Sequence, residues 1–165
     1  MTERRLPLLL VIGILVGCSP NRLPEVHLVP TDYQGPLLVL YDQAGYPALP
    51  RSGDSLVFDF RSGNVVRTSS ALVTGNGPVS AFQYYYVGPT GQRTRIRKVA
   101  DWQELQQYPP DEPCLIITAG SVYSSGAVSE FLTSARNFDR NEKLSDKLTD
   151  SLVHGETVSA PYKTH

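Results

Sequence analysis

Residues 79–99 read VSAFQYYYVGPTGQRTRIRKV, and this stretch decides the fold class. VSAFQYYYV (79–87) is dense in aromatic and β-branched residues, which favour a pleated, half-buried surface. Gly88-Pro89-Thr90-Gly91 supplies turn residues, and RTRIRKV (93–99) returns as a second strand. Strand side chains alternate between faces. Phe82, Tyr84 and Tyr86 therefore share one face, and Gln83, Tyr85 and Val87 share the other. Arg93, Arg95 and Arg97 fall on one face of the returning strand, with Thr94 and Ile96 on the opposite one. A half-buried antiparallel sheet shows this alternation by default, as a solvated arginine face beside an aromatic core face. Where tyrosines meet arginines, guanidinium groups stack on rings. Tyr84, Tyr85, Tyr86, Arg93, Arg95 and Arg97 are the candidate binding surface, for an envelope protein or a glycan.

Working outward, VHLVP (26–30), PLLVLYD (36–42), LVFDF (56–60) and VVRTSS (65–70) read as further strands bounded by Pro, Gly and Asp. Gly63-Asn64 is a hairpin-turn pair, which predicts that 56–60 and 65–70 form a hairpin. CLIITAG (114–120) is a short continuous apolar run, the signature of a buried strand. Asp101 is placed to cap a short helix over Trp102–Leu105. Ala127, Val128, Phe131, Leu132 and Ala135 form an apolar stripe at helical spacing, capped by Ser124 or Ser125. Leu144, Leu148 and Leu152 lie four apart in a second helical segment, 141–155, which Gly155 would stop. About seven strands followed by one or two helices predict an α+β, mostly β domain. The sheet is antiparallel or a small β-sandwich with the helices packed on it.

The amino terminus carries a different signal. MTERRLPLLLVIGILVGC (1–18) has Arg4 and Arg5, then an apolar run from Leu6 to Val16. At about 1.5 Å per residue that run is too short for a hydrocarbon core of about 30 Å. It has the length of a signal-peptide core. Leu15-Val16-Gly17-Cys18 is similar to the lipobox of bacterial lipoprotein precursors. The resemblance implies cleavage between Gly17 and Cys18, with diacylglyceryl transfer to the Cys18 sulfur and usually acylation of its new amino group. Two or more acyl chains, palmitate among them, anchor stably where one binds marginally. The division expected is a signal peptide over 1–17, lipidated cysteine and tether over 18–24, one strand-rich domain over 25–155 and a flexible tail over 156–165. The implied address is the cell envelope, and Ser19 after the cysteine directs it to the outer membrane in a Gram-negative host.

Of 165 residues, 148 follow the expected cleavage point, enough for one domain that buries about two-thirds of its unfolded surface. The mature part holds 13 basic and 15 acidic residues. That balance gives no general attraction to nucleic acid.

The stretch HLVPTDYQGPLLVLYDQ (27–43), with VVRTSS (65–70) and QYYYV (83–87), resembles a family of exported bacterial domains, domain of unknown function 6843. Pro30, Tyr33, Gly35, the apolar strand after it and Tyr41 carry the likeness, over roughly residues 26–120. It implies a compact strand-rich lipoprotein domain, and brings neither an activity nor site residues.

No constellation for a chemistry stands out. Ser121, Ser124, Ser125, His27 and His154 are present without a Gly-x-Ser-x-Gly elbow. A hydrolase of cell-envelope or small-molecule substrates is the alternative reading, built from residues adjacent only in space. His27, His154 and His165 lack neighbours at metal-ligand spacing, so neither metal nor cofactor is expected. Asp139, Glu142, Asp146 and Asp150 mix with Lys143 and Lys147 as a solvated helix face. Cys114 opens an apolar strand without cationic neighbours, as a buried structural thiol does. A membrane-anchored binding or structural module is the expectation.

Overall fold

The computed structural model describes residues 23–73, 82–116 and 127–153. Its strands are β1 (Glu25–Pro30), β2 (Gly35–Leu40), β3 (Arg51–Ser52), β4 (Ser55–Asp59), β5 (Val65–Arg67), β6 (Phe82–Val87), β7 (Arg93–Arg95), β8 (Arg97–Val99), β9 (Cys114–Ile116) and β10 (Ala127–Thr133). Helix α1 covers Trp102–Leu105 and α2 covers Phe138–Val153. The strands form two five-stranded sheets, ordered β3-β4-β1-β6-β7 and β5-β2-β10-β9-β8. Both sheets are mixed. β1 runs parallel to β4 and β6, and β2 runs parallel to β5 but antiparallel to β10.

Side chains from both sheets meet in one core. Val29, Phe58, Phe60, Phe82 and Tyr84 come from the first sheet side, and Leu37, Val39, Leu115 and Leu132 from the second. The second sheet is covered on its other face as well. Leu148 of α2 packs on Leu38 and Leu40, and Leu105 of α1 packs with Val99, Cys114, Ile116 and Phe131. Burial on both faces explains why β2 reads as an unbroken apolar run, GPLLVL, and not as an alternation.

The β1–β2 turn brings residues that carry the family likeness into contact, with the Tyr33 amide donating to the Pro30 carbonyl at 3.2 Å. Tyr33 folds back so that its hydroxyl donates to the Pro36 carbonyl at 2.5 Å. A Cβ on Gly35 would lie 2.8 Å from that hydroxyl, and the Gly35 φ of +147° also disfavours a side chain.

Four expectations are corrected. Residues 127–133 form β10, not a helix. The strand lies between β2 and β9, with Leu132 in the inter-sheet core and Phe131 in the cluster under the helices. Phe131 and Leu132 are buried on opposite faces, so the period of two by which a strand is recognised is lost there. β4 and β5 do not form a hairpin, because they belong to different sheets. Gly63 and Asn64 do not take the positive φ that a tight hairpin turn needs, and the chain crosses between sheets there. The run 93–99 is two strands, β7 in the first sheet and β8 in the second, parted at Ile96. Ile96 is buried in the inter-sheet core, and its amide donates to the Tyr84 carbonyl at 2.8 Å. On α2, Asn141, Ser145 and Leu148 form the buried seam, whereas Leu144 is 43% exposed. Asn141 ties the helix to β10 by donating to the Leu132 carbonyl and the Thr133 hydroxyl. Helix α1 has the predicted cap, with Asp101 accepting from the Glu104 amide at 2.9 Å.

Candidate functional site

The β6–β7 hairpin is closed by backbone bonds from Gly91 to Gly88 and from Gly88 to Gln92, with Gly91 at φ +84°. Tyr85 pairs with Arg95, Tyr86 with Thr94 and Val87 with Arg93. The six candidate residues of this surface divide into three groups. Tyr84 and Tyr86 point into the sandwich. The Tyr84 hydroxyl donates to the Glu130 carboxylate, at 2.6 and 2.7 Å to its two oxygens, and the Tyr86 hydroxyl donates to the Tyr33 carbonyl at 2.9 Å. Arg97 lies in the second sheet, where it sits over the Tyr108 ring at 4.3 Å and pairs with Glu112 at 3.3 Å. The break at Ile96 therefore removes Arg97 from the arginine face. Tyr85, Arg93 and Arg95 remain together, on the face turned away from the core.

Arg93 and Arg95 are exposed, and among the described residues neither guanidinium has a carboxylate within 4 Å. Lys98 adds a third positive charge nearby. Its amine donates to the Phe82 carbonyl at 2.8 Å. Burial holds its pKa below the ordinary lysine value, Arg95 lowers it further, and Glu130 opposes both.

β1, β4 and β6 are parallel, so the chain segments that follow them meet at one end of the first sheet. A cleft of about 220 Å³ opens there, between Tyr33, Leu37 and Phe60 below and Arg61 and Asn64 at its rim. A shallower depression of about 610 Å³ adjoins it, bounded by Thr31, Arg61 and the hairpin turn Gly88–Gly91. Arg61 grips Asp59 with Nε at 2.8 Å and Nη2 at 2.5 Å, and this bonding holds the Asp59 carboxyl below its ordinary pKa. Arg61 carries no local sequence signature. Only the parallel pairing brings it beside the hairpin turn.

His27 is 3% exposed, stacked on Phe58 at 4.6 Å and against Tyr84 at 4.2 Å. Its Nε2 lies 3.1 Å from Glu25 Oε2, and its Nδ1 is buried without a hydrogen-bond partner among the described residues. A general base must reach the proton that it takes. His27 instead lies buried against the core rings of Phe58, Phe60 and Tyr84 and lines neither cleft described above. Cys114 is fully buried, and burial pushes its thiol pKa up, the opposite of what a nucleophile needs. Among the described residues, no three of His, Cys, Asp and Glu stand together to hold a metal ion. No helix among them is long and apolar enough to cross a membrane. Gly17, Cys18, Ser121, Ser124, Ser125, His154 and His165 lie outside the described residues.

The fold and this surface define a class: a two-sheet, mixed β-sandwich with helices over one sheet. The chain belongs to a family of unknown function, DUF6843, whose model matches residues 21–142. A solved structure of a candidate lipoprotein from Bacillus anthracis is similar at 22% identity, covering 85% of this chain and 83% of that one, with a TM-score of 0.46. No curated protein matches the chain.

Proposed function

We propose that the chain is a lipid-anchored envelope module that binds an anionic partner through the outer face of its β6–β7 hairpin. The observation that carries this reading is the pair of exposed guanidinium groups, Arg93 and Arg95, beside Tyr85 and without a carboxylate partner among the described residues. Exposed arginine and tyrosine are the residue types in which binding hot spots are enriched. Like charges at alternate positions repel, and an anionic ligand relieves that repulsion.

Anchoring supplies the orientation. Six residues separate Cys18 from Glu25, and seven Cα steps at full extension reach about 25 Å, so the start of β1 lies within that distance of the lipidated cysteine. β1 and β6 run in the same direction away from that point. Val87, the hairpin turn and Arg93 therefore lie at the end of the first sheet remote from the tether, where a partner in the envelope reaches them.

Two experiments test the two halves. Cys18→Ala abolishes incorporation of labelled fatty acid, and equal label on wild type and variant refutes anchoring. The Arg93→Ala, Arg95→Ala double variant keeps its folding stability, since exposed charges contribute little. It loses retention on a sulfated polysaccharide column, whereas Arg97→Ala retains it. Equal retention of the wild type and the double variant removes the hairpin from consideration.

A further inference from the structure

The hairpin register settles which backbone groups of β7 bond to β6 and which do not. In an antiparallel pair, opposed residues alternate between those that exchange both hydrogen bonds and those that exchange none. The Ile96 amide bonds to the Tyr84 carbonyl, and the Gly88 amide bonds to the Gln92 carbonyl. The pairs 84–96 and 88–92 are therefore bonded pairs, and 86–94 between them is a third. Arg95 opposite Tyr85 and Arg93 opposite Val87 are non-bonded pairs. Their amides and carbonyls point away from β6, toward the edge of the sheet. Among the described residues β7 is the terminal strand of that sheet, and Arg93, Thr94 and Arg95 are all exposed. Arg93 and Arg95, which offer main-chain donors and acceptors at the edge, are thus also residues whose guanidinium groups have no carboxylate partner among the described residues, and both side chains lie on one face.

We infer that β7 is a strand-addition site for an extended acidic peptide with carboxylates at alternate positions. This rests on the reading of the hairpin as an anion-binding surface and names its partner. An incoming antiparallel strand places residues directly opposite Arg93 and Arg95. Those residues exchange main-chain hydrogen bonds with the arginines and project their side chains to the same face. Acidic side chains there meet the guanidiniums at cross-strand distance. A second copy of this chain is disfavoured as the occupant, because pairing two β7 edges sets arginine against arginine.

The probe is a labelled peptide, acetyl-Thr-Glu-Val-Glu-Val-Glu-Thr-amide, titrated by fluorescence polarisation against the full chain in detergent micelles. Two variants of the probe separate strand addition from simple charge attraction. Methylating the glutamate nitrogens removes donors that face β7. Methylating the valine nitrogens removes donors that face away. We expect glutamate methylation to weaken binding about tenfold and valine methylation to leave it within about twofold. The amides of Arg93 and Arg95 gain protection from hydrogen exchange when the unmethylated peptide binds. Equal affinity of the two methylated probes, with Arg93→Ala, Arg95→Ala still abolishing binding, overturns strand addition and leaves the arginine face intact. Failure of both the peptide and the sulfated polysaccharide to bind overturns both readings. Equal binding of a glutamine-for-glutamate probe overturns the requirement for acidic side chains.

Discussion

Tyr84→Phe isolates the bond that joins the two sheets through their core. Tyr84 is 1% exposed, and its hydroxyl donates to both carboxylate oxygens of Glu130, a residue of the opposite sheet. A hydrogen bond to a charged group contributes about 1.5–3 kcal/mol. Glu130 is half-buried and regains water when the hydroxyl is removed, which places the loss near the lower end, about 1.5–2 kcal/mol. For a domain of this size that is a fall in Tm of roughly 6–8 °C. Tyr86→Phe is the matched control. Its hydroxyl donates to an uncharged carbonyl, so about 1 kcal/mol is expected. Urea unfolding of both variants, with unchanged dependence on urea concentration, reads the difference. A Tyr84→Phe loss no larger than that of Tyr86→Phe refutes the assignment of a charge-assisted inter-sheet bond.

Three further outcomes follow from the packing and the ionisable groups. Leu132→Ala costs about 2–5 kcal/mol, because Leu132 is fully buried in β10, whereas Leu144→Ala on the exposed side of α2 changes stability by less than about 0.5 kcal/mol; chemical unfolding compares them, and equal costs refute the strand assignment of β10. Cys114 reacts slowly with iodoacetamide in the native chain and quickly in urea, since it is buried and its thiol pKa is raised; rapid native labelling reverses that reading. The Asp59 carboxyl is held below its ordinary pKa by Arg61, so its contribution is present above the unfolded-state value and fades as pH falls through the folded-state value. Asp59 is 40% exposed, so screening limits this to less than about 1 kcal/mol. Asp59→Asn therefore lowers Tm slightly at pH 7 and leaves it unchanged at pH 2, and a larger loss at pH 2 contradicts the pairing.

Local signals and tertiary context divide the legibility of the chain. The hairpin turn, the apolar run of β2 and the Asp101 cap are local, and each was readable from neighbouring residues. The assignment of Tyr84 and Tyr86 to one face follows from strand alternation alone. Which sheet a strand joins is not local. Nothing around Gly63-Asn64 distinguishes a crossover from a hairpin, and nothing in RTRIRKV marks Ile96 as the residue that leaves one sheet for the other. β10 is not recognisable from its own sequence, because Phe131 and Leu132 are buried on opposite faces and this removes the alternation that marks a strand. The same limit applies to the candidate surface. Arg93 and Arg95 were legible as one face, while the departure of Arg97 and the approach of Arg61 depend on strands paired across long separations.

The central proposal is that the chain is lipid-anchored and meets its partner at the β7 edge. The most direct measurement places a photoreactive phenylalanine analogue at Thr94, between the two arginines, in the lipidated chain within its own envelope. The account predicts a discrete cross-linked adduct that disappears in the Arg93→Ala, Arg95→Ala background, and no such adduct from the same probe at Leu144. An adduct at Thr94 that persists without the two arginines, or adducts at Leu144 alone, would contradict it.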